Sequence, residues 1–165
     1  MLAGIDVNQR NVVIAYKKNN RIKFIKIKRD AEDKIIAYSI LEKLIENGIS
    51  EVAIEDPEIL NEDTLNINPS EENCKDTKNI ISFLEKLKEI LESLKIKVIP
   101  VNPRNTSNIC PICKEEIKTG AINHHVYCIK CGRVFQRDEI ASWNVMRRGE
   151  KEKLKIKVVA WVKKE

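Results

Sequence analysis

No long apolar run occurs anywhere in the 165 residues, and the longest uninterrupted hydrophobic stretches are a few residues each. A membrane-spanning segment is therefore not expected. Apolar residues nonetheless make up 42% of the chain, too many for a disordered protein. The opening Met-Leu-Ala-Gly-Ile-Asp lacks both the basic region and the apolar segment of a secretory signal, so a cytoplasmic location is expected. Internal repeats and low-complexity tracts are absent as well. Only two glutamines stand against 65 Ile, Lys and Glu, a bias of heat-adapted proteins. The 15 asparagines argue against that origin, and an AT-rich genome also yields Ile, Lys and Asn. What is present suffices for one domain, or one domain with a small appendage, and for a real core.

The net charge of +5 is unevenly spread: residues 51–76 hold nine acidic side chains and one basic, whereas residues 101–165 hold 14 basic and seven acidic. A basic C-terminal third fits a polyanionic partner, although a solvated Lys-rich face accounts for it equally well. Leu2–Val7, Val12–Tyr16 and Ile22–Lys28 read as three antiparallel strands, the last two joined by a turn at Asn19-Asn20. From Ala37 the positions Ile40, Leu41, Leu44 and Ile45 mark an amphipathic helix that Gly48 stops. Glu51–Glu55 is a short strand, and Pro57–Asp76 a polar loop with at most a short helix. Ile80, Leu84, Leu87, Leu91 and Leu94 mark a second helix, and Lys97–Val101 a fifth strand. The order βββαβαβ predicts an α/β fold with a mixed sheet. Residues 105–135 are loop-like, Asp138–Arg148 can form a last helix with favourable charge polarity, and the alternation of Lys153–Val158 predicts a basic edge strand.

Two motifs carry chemistry. Cys110-Pro-Ile-Cys113 and Cys128-Ile-Lys-Cys131 are paired knuckles with 14 residues between the inner cysteines, a spacing that presents four thiolates to one tetrahedral Zn²⁺. Redox dithiols are the alternative. With four sulfurs available, His124 and His125 are expected on the ribbon surface, and Cys74 as a lone thiol. Three carboxylates occupy costly places: Asp6 ends the first apolar strand, Glu55 ends the fourth, and Asp138 begins the last helix. Charge beside an apolar strand normally needs a partner. If the three meet, Mg²⁺ or Mn²⁺ would relieve their repulsion. Separately, each also reads as a strand-end Asp, a salt-bridged Glu and a first-turn Asp.

Gly4-Ile-Asp6-Val-Asn8 resembles the first strand of RNase H-like nucleases of the RuvC group, and Val52-Ala-Ile-Glu55-Asp56 resembles their apolar-Glu-Asp strand. Val98-Ile-Pro-Val-Asn-Pro-Arg-Asn-Thr106-Ser107-Asn-Ile-Cys110-Pro-Ile-Cys113, then Cys128-Ile-Lys-Cys131-Gly132 and Arg137-Asp138-Glu-Ile-Ala141-Ser-Trp-Asn144-Val145, are similar to the C-terminal half of the transposon-encoded TnpB (OrfB) nucleases, relatives of the type V CRISPR effectors. The chain departs from the pattern at Gln136 (usually Asp), Ile140 (commonly Asn) and Lys114 (commonly Gly). The resemblance implies an RNase H-like (RuvC-type) mixed sheet with helices, divided into a core over 1–104, an inserted zinc ribbon over 105–135, and the last core helix with a basic tail over 136–165. It implies a metal-dependent DNA endonuclease using two-metal phosphodiester hydrolysis at Asp6, Glu55 and Asp138, with structural zinc on Cys110, Cys113, Cys128 and Cys131. Arg104, Arg133, Arg137, Arg147 and Arg148 are the candidate phosphate contacts. The family's N-terminal half holds guide RNA and target duplex, and here the nuclease strand starts at residue 2. Guide-directed cutting by this chain alone is therefore not expected: beside DNA, a guide RNA is a candidate partner, and the chain reads as a stand-alone or domesticated nuclease module, a transposon remnant, or one subunit whose protein partner supplies the missing half. The alternatives are a catalytically silent nucleic-acid-binding module and a structure-specific junction resolvase.

Overall fold

The computed structural model describes residues 1–65, 71–119 and 125–164. Strands β1 (Leu2–Val7), β2 (Asn11–Lys18) and β3 (Arg21–Lys28) form the antiparallel meander. Asn8 shapes the first turn, its side-chain oxygen accepting the Arg10 and Asn11 amides at 3.0 and 2.8 Å. Asn19 and Asn20 shape the second with φ of 53° and 60°, a left-handed pair that asparagine tolerates and a tight hairpin needs. Helix α1 (Asp33–Glu46) leads to β4 (Glu51–Glu55), parallel to β1, and helices α2 (Pro57–Leu65) and α3 (Glu71–Ser93) lead to β5 (Lys97–Val101), parallel to β4. The sheet order β3-β2-β1-β4-β5 makes β1 the central strand.

Alternation along the strands gives the sheet two different faces. Ala3, Ile5, Val7, Ile14, Val52 and Ile54 pack against Ile36, Ile40 and Leu44 of α1 and Phe83, Leu84, Leu87 and Leu91 of α3. Burying each of the Val, Ile, Leu and Phe side chains here contributes roughly 1.5–3 kcal/mol. The opposite face is covered by the long helix α4 (Arg137–Lys164), with Val145 against Ala53, Ile99 and Val101. That helix lies against the strand backbone. A Cβ built on Gly4 would stand 2.3 Å from the Met146 amide nitrogen and from the Ser142 carbonyl oxygen, and one on Gly149 would stand 2.4 Å from the Ala53 Cβ. Small residues at these points let α4 settle directly over β1 and β4.

Between β5 and α4 the chain forms a second sheet of β6 (Lys118–Thr119), β7 (His125–Tyr127) and β8 (Val134–Gln136). Its apolar cluster, Cys110, Ile117, Val126 and Cys128, is closed from below by Ile140 of α4. Trp143 stands between Phe24 of β3 and Phe135 of β8, with ring centroids 6.2 Å away on each side, and so ties the insertion to the large sheet. The mixed sheet with helices and a cysteine-bearing insertion is the fold expected from the sequence.

Two expectations are corrected. The acidic stretch read as a loop carries α2 and the first turns of α3, while 66–70 lie outside the described residues. Pro57 suits the first position of a helix, and the Asp56 carboxylate caps it by accepting the Glu58 amide at 2.9 Å. The edge strand expected at Lys153–Val158 is instead part of α4. Its Lys and Leu residues propagate a helix well, the Glu150–Glu152 stretch before it does too, and Gly149, the natural place to stop, is used for packing against Ala53. Leu154, Ile156, Val158, Val159, Trp161 and Val162 of this last part are all exposed. Among the described residues no helix is long and apolar enough to cross a membrane.

Candidate functional site

The parallel pairing of β1 and β4 sets Ile5 opposite Ile54, so the next residues, Asp6 and Glu55, lie side by side at the C-terminal ends of adjacent strands, one residue before the end of β1 and at the end of β4, on the face that α4 covers. Asp138 stands in the first turn of α4, where the helix N-terminus favours a carboxylate. All three line one cavity of about 700 Å³. Asp6 is buried, and its pKa is raised well above the ordinary carboxylate value, first by loss of solvent and then by the negative charges of Glu55 and Asp138. The Asn8 side chain and the Arg137 charge pull it partly back. Glu55 is also raised by burial, against a hydrogen bond from Thr106 and the charge of Arg148. Asp138 faces Lys26, whose ammonium lies 4.0 Å from its Oδ2 and donates to Gln136 Oε1 at 3.3 Å. Carboxylate oxygens are the atoms that hard divalent cations take, but among the described residues it is the four cysteines, not these three carboxylates, whose ligand atoms all lie within 4.8 Å of one another.

The four thiols of the insertion form a second cluster. Cys113 and Cys128 sulfurs are 3.1 Å apart, Cys110 and Cys131 3.8 Å, and all four lie within 4.8 Å of one another. Tetrahedral Zn–S bonds would put sulfurs about 3.8 Å apart, so the set can hold one metal ion such as zinc. The two knuckles repeat one backbone turn: the Lys114 amide donates to the Cys110 carbonyl at 2.9 Å, and the Gly132 amide to the Cys128 carbonyl at 2.8 Å. Both residues are left-handed, with φ of 63° and 69°. Without a metal the thiols share protons unequally. Cys128 is held down to about 6, first by the Cys131 amide and then by the Cys113 thiol, and Cys113 is pushed up to about 12, chiefly by its bond to Cys128.

Residues 82–145, which run from α3 through β5 and both knuckles into α4, match the family model of the Cas12f1-like TNB domain. A chain of a Cas12f1–sgRNA–target DNA complex superposes with a TM-score of 0.59 at 19% identity, over 87% of this chain and 49% of that one. A chain of a CRISPR–Cas12f ternary complex does so with a TM-score of 0.61 at 18% identity, over 87% of this chain and 38% of that one. Residues 82–145 are thus similar to a Cas12f1-like TNB domain, and the chain shares its fold with these two neighbours. It spans half or less of the length of these two structural neighbours. No curated protein matches it by sequence.

The five arginines expected as basic contacts lie in different surroundings. Arg137 lines the carboxylate cavity, and Arg148 is close enough for its charge to lower the pKa of Glu55. Arg148 also donates to the Asn102 carbonyl, and Arg147 to the Pro111 carbonyl at the first knuckle. Arg104 is exposed and pairs with Asp63 at 3.2 Å, and Arg133 is exposed on the insertion. His125 is exposed and lines the carboxylate cavity, while His124 and the side chain of Cys74 lie outside the described residues. The sequence reading gave no role to Lys26, Asn8, Thr106 or Asn144. The signals for the last two were the Thr-Ser before the first knuckle and the Asn in the last helix.

Proposed function

We propose that this protein is a divalent-metal-dependent DNA endonuclease of RuvC/TnpB type. The observation that carries this reading is the shared cavity, into which β1, β4 and α4 each bring one carboxylate and where Asp6 feels the charge of both others. Asp6, Glu55 and Asp138 would hold Mg²⁺ or Mn²⁺, which when bound supplies an activated water and stabilises the leaving 3′ oxygen. Asp6, on the central strand, would help hold the cation together with Glu55 and Asp138. Thr106 and Arg148 hold Glu55, and Lys26 and Arg137 moderate the negative charge of the site. The basic side chains of the C-terminal third would contact phosphates without reading sequence. Cys110, Cys113, Cys128 and Cys131 would hold zinc in a structural role, with the insertion over 105–135 borne by a core formed from 1–104 and 136–165.

DNA as substrate and a guide RNA as partner are suggested by one neighbour, a chain of a complex described as Cas12f1 with sgRNA and target DNA. Because the chain spans 49% of one such neighbour, guided cutting would need a further protein half. The test is incubation of the purified protein with single-stranded, duplex and branched DNA, with and without Mg²⁺ or Mn²⁺. Cation-dependent cleavage lost in Asp6→Asn is the expected result. Salt-sensitive binding without cleavage of any form would favour the silent module instead, and cleavage confined to the branched substrate would favour a resolvase.

A further inference from the structure

We propose that Thr106 is a positioning residue for the carboxylate centre, fixing the orientation of Glu55, and that Asn144 in turn fixes Thr106. The inference rests on the reading of Asp6, Glu55 and Asp138 as a shared divalent-cation site. Thr106 is 5% exposed, and its hydroxyl lies 2.9 Å from Glu55 Oε1 and 3.2 Å from the Pro103 carbonyl oxygen. A hydroxyl has one hydrogen to give, and an ionised carboxylate is the stronger acceptor, so the bond to Glu55 prevails.

The backbone of Thr106 is held just as firmly. Asn144, 7% exposed, donates from Nδ2 to the Thr106 carbonyl at 2.7 Å and to the Ile109 carbonyl at 2.8 Å. The two amide hydrogens thus pin both ends of the strap 106–109 to α4. That helix also carries Asp138 in its first turn, so one rigid element presents one carboxylate directly and aims another through Thr106. A Glu side chain has several rotatable bonds, and holding it in place beforehand removes an ordering cost from cation binding. The strap ends next to the first knuckle, which begins at Cys110.

The test uses the full chain loaded with zinc and measures Mn²⁺ binding by calorimetry and by the electron paramagnetic resonance signal of free Mn²⁺. Thr106→Val, which keeps the shape and removes the donor, should weaken Mn²⁺ about tenfold while zinc content stays unchanged, and Thr106→Ser should restore affinity to within about twofold of the starting protein. Thr106→Ala replaces the valine variant if that one fails to fold. Equal Mn²⁺ affinity in the starting protein and the donor-less variant overturns the positioning role, as does a serine variant that folds and does not recover. Absence of Mn²⁺ binding in the unsubstituted chain, or binding unaffected by Asp6→Asn, overturns the underlying reading of the carboxylates instead.

Discussion

Asp6 loses most by being ionised, since it is buried beside two like charges. Its raised pKa means that the folded chain keeps a proton which the unfolded chain releases at about pH 4. Stability from this group is full below that pH and is lost as pH rises through the raised value. In cation-free buffer Asp6→Asn should therefore melt higher than the parent at pH 7 and show little advantage near pH 4, as read by scanning calorimetry. An equal gain at both values would mean that the carboxylate carries no electrostatic burden. Lys114 is a different case, a bulky residue held at φ 63° in the turn where the second knuckle uses Gly132. Relief of that strain by Lys114→Gly should stabilise the insertion by up to about 1 kcal/mol, visible as a higher chelator concentration needed to strip the metal. The cysteines were legible in the sequence because the spacing of their knuckles is local. Thr106 and Lys26 were not, because their partners lie 51 and 110 positions away and no local pattern announces them.

Among the elements, α4 depends most on what is missing from its surface and from the strands beneath it. Gly4→Ala would press a methyl group against backbone on the helix, 2.3 Å from both Met146 N and Ser142 O, and neither atom is the end of a flexible side chain. The expected loss is about 3 kcal/mol or more in urea denaturation. Gly149→Ala collides with a side chain instead, the Ala53 Cβ at 2.4 Å. Adding Ala53→Gly should recover much of that loss, a coupling that a double-mutant cycle measures. Additive effects of the two changes would show that the helix does not lie this close. The core strands were legible because their alternation matches a sheet buried against helices, and α1 because Gly48 stops it. The face used by α1 was read one residue too wide, since Ile45 is 66% exposed. Pro57–Asp76 misled because acidic polarity hides a capped helix start, and Lys153–Val158 because a period of two also arises by chance in a Lys-rich helix.

The molecule as a whole has two apolar centres of unequal independence. The large one holds α1, α3 and one face of the sheet. The small one has few apolar members beside its cysteines, namely Ile117, Val126 and Ile140, so a metal bound by the four thiols is expected to supply much of its order. A strong chelator, or Cys110→Ser, should unfold 105–135 and leave the far-ultraviolet signal of the core largely intact. Trp143, wedged between Phe24 and Phe135, should report the loss of one neighbour as a fluorescence change. Full cooperative unfolding on chelation would show instead that the two centres form one folding unit. Helix α4, which lies over Gly4, follows β1 and β4 in chain order. During synthesis Asp6 and Glu55 are therefore made before the helix that covers their face of the sheet. A nascent chain that stops short of Arg137 carries these two carboxylates on an open face, without Asp138 beside them.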